Sequence, residues 1–260
     1  MSVLSRDSNG YTVDVVGGTS IGAWIGAWLA AGMSGAAIER TLRDRFTPDV
    51  VDAVFRRGAT GEPSGTKVLA CLARETLPSD GFEGLATPLI VLTADLEGRE
   101  PVPITTGSLH DALVTSLTVP GLYPPVQRGT QRLVDGVVHT PVRTEAVMGA
   151  GADVTVAVNL LGSQTLPAWP GDERSTTSAR RPVRDTLVES IELGQIGASA
   201  RQTAMADAPI FGPGTWRNFE LADRYMAAGA EAMEAALPDL HALARPQGNR
   251  YGSARGAISG

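Results

Sequence analysis

The stretch Val13-Asp-Val-Val-Gly-Gly-Thr-Ser-Ile-Gly-Ala-Trp-Ile-Gly-Ala27 constrains this chain more than any other. A short apolar run, a glycine pair and a run of small helix formers follow one another without a spacer. That order predicts a strand, a tight turn and a helix. The turn holds Gly18-Thr19-Ser20-Ile21-Gly22, a G-x-S-x-G sequence. In that pattern the serine sits on a strained strand-to-helix bend with its hydroxyl pushed out of the fold. The glycines leave room for the bend and for a close approach of helix to strand. A helix starting just after Ser20 also turns free N–H groups and its positive dipole end toward the hydroxyl. Negative charge developing there in acyl transfer would be stabilised. Ser20 is therefore the candidate nucleophile, within an elbow formed by Gly18, Thr19, Ile21 and Gly22.

Beyond the elbow, apolar strands alternate with helical stretches. Trp24, Ile25, Trp28 and Leu29 form the bulky stripe of the first helix, which predicts core packing over a lipid-facing wall. Gly22, Gly26 and Ala30 form its small-residue face. Ser34 opens a second helix with Ile38, Leu42 and Phe46 on one side. Residues 47–66 read as loop, and Thr66–Leu77 as a short helix in which Cys71 is expected to be a small buried hydrophobe. Pro88–Ala94 is a near-continuous apolar run, as in a strand covered on both faces. Glu100–Thr105 reads as a strand paired antiparallel or at an edge. Ser108–Ser116 reads as a helix, 119–125 as a rigid proline-dense loop, and Asp153–Leu160 as another core strand. The pattern predicts an α/β fold, a mostly parallel sheet sandwiched between helices.

Residues 1–260 are expected to form a single domain, with an α/β core over 13–162, a polar loop over 163–182 and C-terminal helices over 183–245. At 43% apolar residues the chain can build one large core. A net charge of −6 with scattered basic residues argues against nucleic acid as a partner. The single cysteine excludes an intramolecular disulfide and a cysteine-based metal site. No apolar run is long enough to span a bilayer, and no signal-peptide pattern follows Met1. The expectation is a soluble cytoplasmic protein, with membrane contact at most peripheral.

A serine needs a base. Of the three histidines, His110 lies early in a helix beside Asp111, His139 only four residues after Asp135, and His241 in a terminal helix. None has the context of a triad base. Asp135, in Leu133-Val-Asp-Gly-Val137, lies at the end of an apolar strand on a turn, where a plain Asp-Gly turn is the ordinary reading. A phosphate-cradling reading of Gly17–Gly22 lacks a Walker lysine.

Together these motifs resemble the patatin-like phospholipases, nearest their neuropathy-target-esterase-like and bacterial branches. Val13–Ala27 resembles the family's nucleophile elbow. Thr93-Ala-Asp-Leu96 resembles its central strand end. Gly107–Ala112 with Ser116 and Val119–Val126 resembles its G-x-L-x-x-A … S-x-x-x-P-G-x-x-P-P segment. Leu133-Val-Asp-Gly136 resembles its Asp-Gly-Gly/Ala motif, and Gly149–Asn159 the strand that follows. The resemblance implies a Ser20–Asp135 dyad acting on acyl esters, with a phospholipid or lysophospholipid as substrate and neither cofactor nor metal. It implies nothing about oligomeric state.

The chain departs from the family in three places. Nineteen residues precede Ser20, and none form the Gly-Gly-Gly-x-Arg-Gly loop that supplies the family's oxyanion donors. The domain is thus expected to be N-terminally shortened, its oxyanion donors are unassigned, and a truncated start is preferred over a degenerate member. Val137 stands where the family has Gly or Ala, and His139-Thr-Pro141 replaces its Asn-Asn-x-Pro. The alternative from another functional class is a catalytically silent member of the fold that binds lipid or protein.

Overall fold

The computed structural model describes residues 13–55, 65–139, 144–152, 154–160, 206–207 and 222–244. The strands are β1 (Val16–Thr19), β2 (Leu89–Asp95), β3 (Glu100–Ile104), β4 (Val126–Arg128), β5 (Gln131–Asp135), β6 (Val158–Asn159) and β7 (Ala206–Asp207). The helices are α1 (Ile21–Ala30), α2 (Gly35–Arg45), α3 (Pro48–Phe55), α4 (Gly65–Thr76), α5 (Leu109–Ser116), α6 (Thr144–Met148) and α7 (Ala222–Ala244). This is the α/β architecture that the alternation predicts, a sheet flanked by helices.

The central strand is β2, buried along its whole length. It pairs with β1 in parallel and with β3 and β5 antiparallel, and β4 adds antiparallel to β5. The sheet is therefore mixed. A four-residue turn, Leu96–Arg99, joins β2 to β3, and so short a connection can only reverse the chain. Asp95 organises that turn. Its carboxylate accepts from the N–H groups of Glu97, Gly98 and Arg132. Burial works against its charge, but these three bonds hold its pKa below the usual carboxylate value.

The β3 register covers Val91–Asp95, overlapping both the β1 register (Leu89–Leu92) and the β5 register (Thr93–Asp95). Strands β1 and β5 must therefore share the other edge of β2, one behind the other. Running in opposite directions, they bring their C-terminal ends together.

Helix α1 lies against this edge. A Cβ at Gly26 would come within 2.9 Å of Val16 Cγ1, so the helix needs glycine there to lie this close to the sheet. Trp24 and Trp28 are fully buried and meet Phe46 edge to face, with centroids 6.1–6.2 Å apart. The apolar stripe is core, as its spacing predicts. Ser34 caps α2 through the N–H of Ala37, and Ser108 caps α5 through that of Asp111. No described helix is long and apolar enough to cross a membrane.

Four expectations are corrected. Residues 48–55 form helix α3, where the sequence reading has loop. Pro48 at its first position and Asp49 in its first turn suit a helix start, and Val51 and Val54 pack into the core. The reading of Asp153–Leu160 as a core strand fails. Residues 154–157 are not strand, and among the described residues β6 pairs only with β7, in a separate two-stranded sheet. Cys71 is exposed. Helix α4 buries Gly65, Leu69, Leu72 and Ala73, one face at helical spacing that leaves position 71 outside. The polar loop at 163–182 and residues 183–205 of the expected C-terminal helices lie outside the described residues, while Ala206 and Asp207 form strand β7 and not helix. The last expected helix is α7, with Met233, Ala236 and Leu240 buried.

Candidate active site

Ser20 lies between β1 and α1 at φ 55°, ψ −131°. A side chain with a Cβ rarely adopts positive φ, and such strain persists only where the surroundings enforce it. Gly18 is part of that enforcement. A Cβ there would lie 2.5 Å from Gly22 O and 2.6 Å from the Ala23 backbone. Gly22 differs: a methyl there would meet nothing within 4 Å. Its lack of a side chain is not required by helix–strand packing, contrary to the sequence reading. Thr19 ends β1 with its Oγ1 buried and unpartnered, and Ile21 begins α1 against the core.

At the helix start, Ala23 N donates to Ser20 O at 3.0 Å. The N–H groups of Ile21 and Gly22 have no acceptor among the described residues. First-turn amides are free in this way by geometry. Here they follow directly on Ser20, at the positive end of α1.

Asp135 closes β5 and is 0% exposed. The head-to-head arrangement of β1 and β5 brings it to the Ser20 turn. Thr19 pairs with Leu92 and Asp135 with the next residue, Thr93. Its N–H donates to Thr118 O at 3.1 Å, and its Oδ1 accepts from Val137 N at 3.0 Å. That second bond is the turn an Asp-Gly sequence favours. Gly136 is needed behind it, because a Cβ there would sit 2.7 Å from Leu92 O.

Burial pushes the Asp135 carboxyl up to about 7, against the opposing pull of the Val137 N–H and the Ser20 hydroxyl. Oδ2 is buried and has no partner at full hydrogen-bond geometry. The Ser20 hydroxyl is thus near enough to favour the charged carboxyl, though the two do not meet at hydrogen-bond geometry. Looseness of this kind is common before substrate tightens a site.

The histidines stand apart from this pair. His110 sits with Nε2 2.9 Å from Leu77 O and Nδ1 3.1 Å from Asp80 Oδ1, tying α5 to the end of α4. His139 and His241 are exposed. No histidine contributes to the shift of Asp135. The sequence reading misses Thr118, whose carbonyl anchors Asp135. Its only signal is a hydroxyl residue between an apolar helix and the proline loop, which does not single it out.

Among known proteins, the chain is similar to an uncharacterized NTE family protein of Mycobacterium tuberculosis. The two are 28% identical over 185 residues, which is 68% of this chain and 49% of the relative. A second uncharacterized NTE family protein of that species is 28% identical over 259 residues, covering 89% of this chain and 43% of its own. One of Mycobacterium bovis is 27% identical over 263 residues, with the same two shares. The chain thus spans about half or less of the length of the curated relatives it matches. The model for the family described as patatin-like phospholipase matches residues 2–147, more than half of the 260 residues, and the chain belongs to that family.

Proposed function

We propose that this protein is a serine hydrolase that cleaves carboxylic esters of lipids, with Ser20 as nucleophile and Asp135 as base. One observation carries the reading: a serine held at strained positive φ beside a buried carboxyl whose pKa is raised to about 7. A carboxylate at its ordinary pKa is too weak a base for a serine hydroxyl near neutrality, and burial corrects that mismatch.

Ser20 Oγ attacks the ester carbonyl carbon as its proton passes to Asp135. The carbonyl oxygen, now negative, faces the first-turn N–H groups of Ile21 and Gly22 at the start of α1. As the C–O bond to the alcohol breaks, Asp135 returns the proton to the leaving oxygen. The acyl group is then on Ser20. Asp135 next takes a proton from water, whose oxygen attacks the acyl carbon, and the acid leaves as Ser20 recovers its proton. Two amides make a sparse oxyanion site. Further donors upstream of Ser20, the place the family resemblance assigns them, would raise turnover.

Family membership supports a phospholipid or lysophospholipid as the substrate class. The same proposal includes a cytoplasmic setting with peripheral contact at the lipid surface. The test is fatty-acid release from lysophospholipid micelles. Wild type is expected to release acid and Ser20→Ala to release none. Binding of vesicles without release by wild type would favour the silent lipid-binding alternative.

A further inference from the structure

The last turn of α5 ends inside the core, yet it is built from hydroxyl residues. Thr115, Ser116 and Thr118 are 4%, 0% and 0% exposed. Their hydroxyls donate back to backbone carbonyls of the same helix end. Thr115 Oγ1 donates to Asp111 O at 2.6 Å, Ser116 Oγ to Leu113 O at 2.8 Å, and Thr118 Oγ1 to Thr115 O at 2.7 Å. The turn is thereby pinned to itself.

Two more bonds leave the turn. Leu113 O accepts the indole N–H of Trp24 at 3.0 Å, and Thr118 O accepts the N–H of Asp135 at 3.1 Å. Trp24 lies four residues after Ser20, about one helical turn along α1. The helix that carries Ser20 and the strand that carries Asp135 therefore hang from the same buried turn. Among the described residues no ladder joins β1 to β5, which meet only end to end on β2. Sheet hydrogen bonds between these two strands do not fix the gap across which the proton must move.

We infer that Trp24 and Thr118 are positioning residues that set the separation of the Ser20 hydroxyl and the Asp135 carboxylate through the C-terminal turn of α5. The inference rests on the Ser20–Asp135 reading proposed above. Proton transfer and attack depend steeply on this separation, and a displacement of about 1 Å can cost roughly a hundredfold in rate.

Two variants test it. Trp24→Phe keeps an aromatic ring and removes the N–H. Thr118→Val keeps the β-branched shape and removes the hydroxyl. Active sites are counted by stoichiometric fluorophosphonate titration, and hydrolysis of a soluble short-chain ester is measured per titrated site. The expected result is a fall in kcat per site of about tenfold or more with KM unchanged. The double variant is expected to be little worse than the worse single one, because both act on one separation. Leu240→Ala, a core truncation on α7, should lower Tm and leave kcat per site unchanged. If Trp24→Phe does not fold, Thr118→Val decides alone. Wild-type kcat per site in the variants, with any loss confined to Tm or to the number of titratable sites, overturns the inference and leaves the hydrolase reading standing. A wild type that takes no label and turns over no ester overturns both.

Discussion

Thr19 and Asp135 end two strands that run head to head along one edge of β2, opposite the consecutive residues Leu92 and Thr93. The residue after Thr19 is the strained Ser20, so the sheet itself delivers the hydroxyl to the carboxyl. Neither residue needs a long loop to reach the other. The juxtaposition follows from β1 running parallel to β2 while β5 runs against it.

With its pKa raised to about 7, Asp135 is protonated in acid and cannot take the serine proton. Ester kcat/KM should rise with pH and reach half its plateau near 7 in the free enzyme. A rate profile of the wild type on a soluble ester reads this directly. An acid limb near 4 would mean that the base is a solvated carboxylate and not buried Asp135.

The same burial has a cost in stability, with a definite sign. Because its folded pKa lies above the ordinary 3.8, Asp135 binds its proton more tightly folded than unfolded. Its contribution to stability is present below the unfolded value and is lost as pH rises through the folded one. Asp135→Asn has no such titration. Its Tm relative to wild type should increase between about pH 4 and pH 7 and then level off, while turnover falls by roughly 10²–10⁴. Melting curves across that range check it, and a Tm difference that does not vary with pH would contradict it.

The two elbow glycines should respond in opposite ways. Gly18→Ala drives a methyl into the backbone of Gly22 and Ala23 and should cost about 2–3 kcal/mol, with loss of activity. Gly22→Ala meets open space and replaces a glycine within the helix, so it should be neutral or stabilising by up to about 1 kcal/mol. Urea unfolding of the two variants measures the contrast. Equal destabilisation by both would show that Gly22 is packed in solution.

Much of the local geometry of the candidate site is legible in the sequence because its signals are local. The glycines around Ser20, the continuous apolar run of β2 and the Asp135-Gly136 turn each state their geometry within a few residues. What is not legible depends on contacts. Helix α3 is rich in valine, a weak helix former, and is held by the burial of Val51 and Val54. Cys71 has the character of a core residue, but the face of α4 is chosen by Leu69 and Leu72. The 153–160 run has a strand's composition, yet Val158 is 41% exposed and, among the described residues, pairs only with β7. The raised pKa of Asp135 comes from burial that the whole fold supplies, and no residue beside it in sequence sets it.

The most direct test of the Ser20–Asp135 pair is covalent. The folded protein is treated with a fluorophosphonate at pH 8 and the adduct is located by peptide mass spectrometry. The expected result is a single adduct on Ser20, absent in Ser20→Ala and formed far more slowly in Asp135→Asn. No adduct, an adduct on another serine, or an equal rate in Asp135→Asn would contradict the pair as the reacting centre.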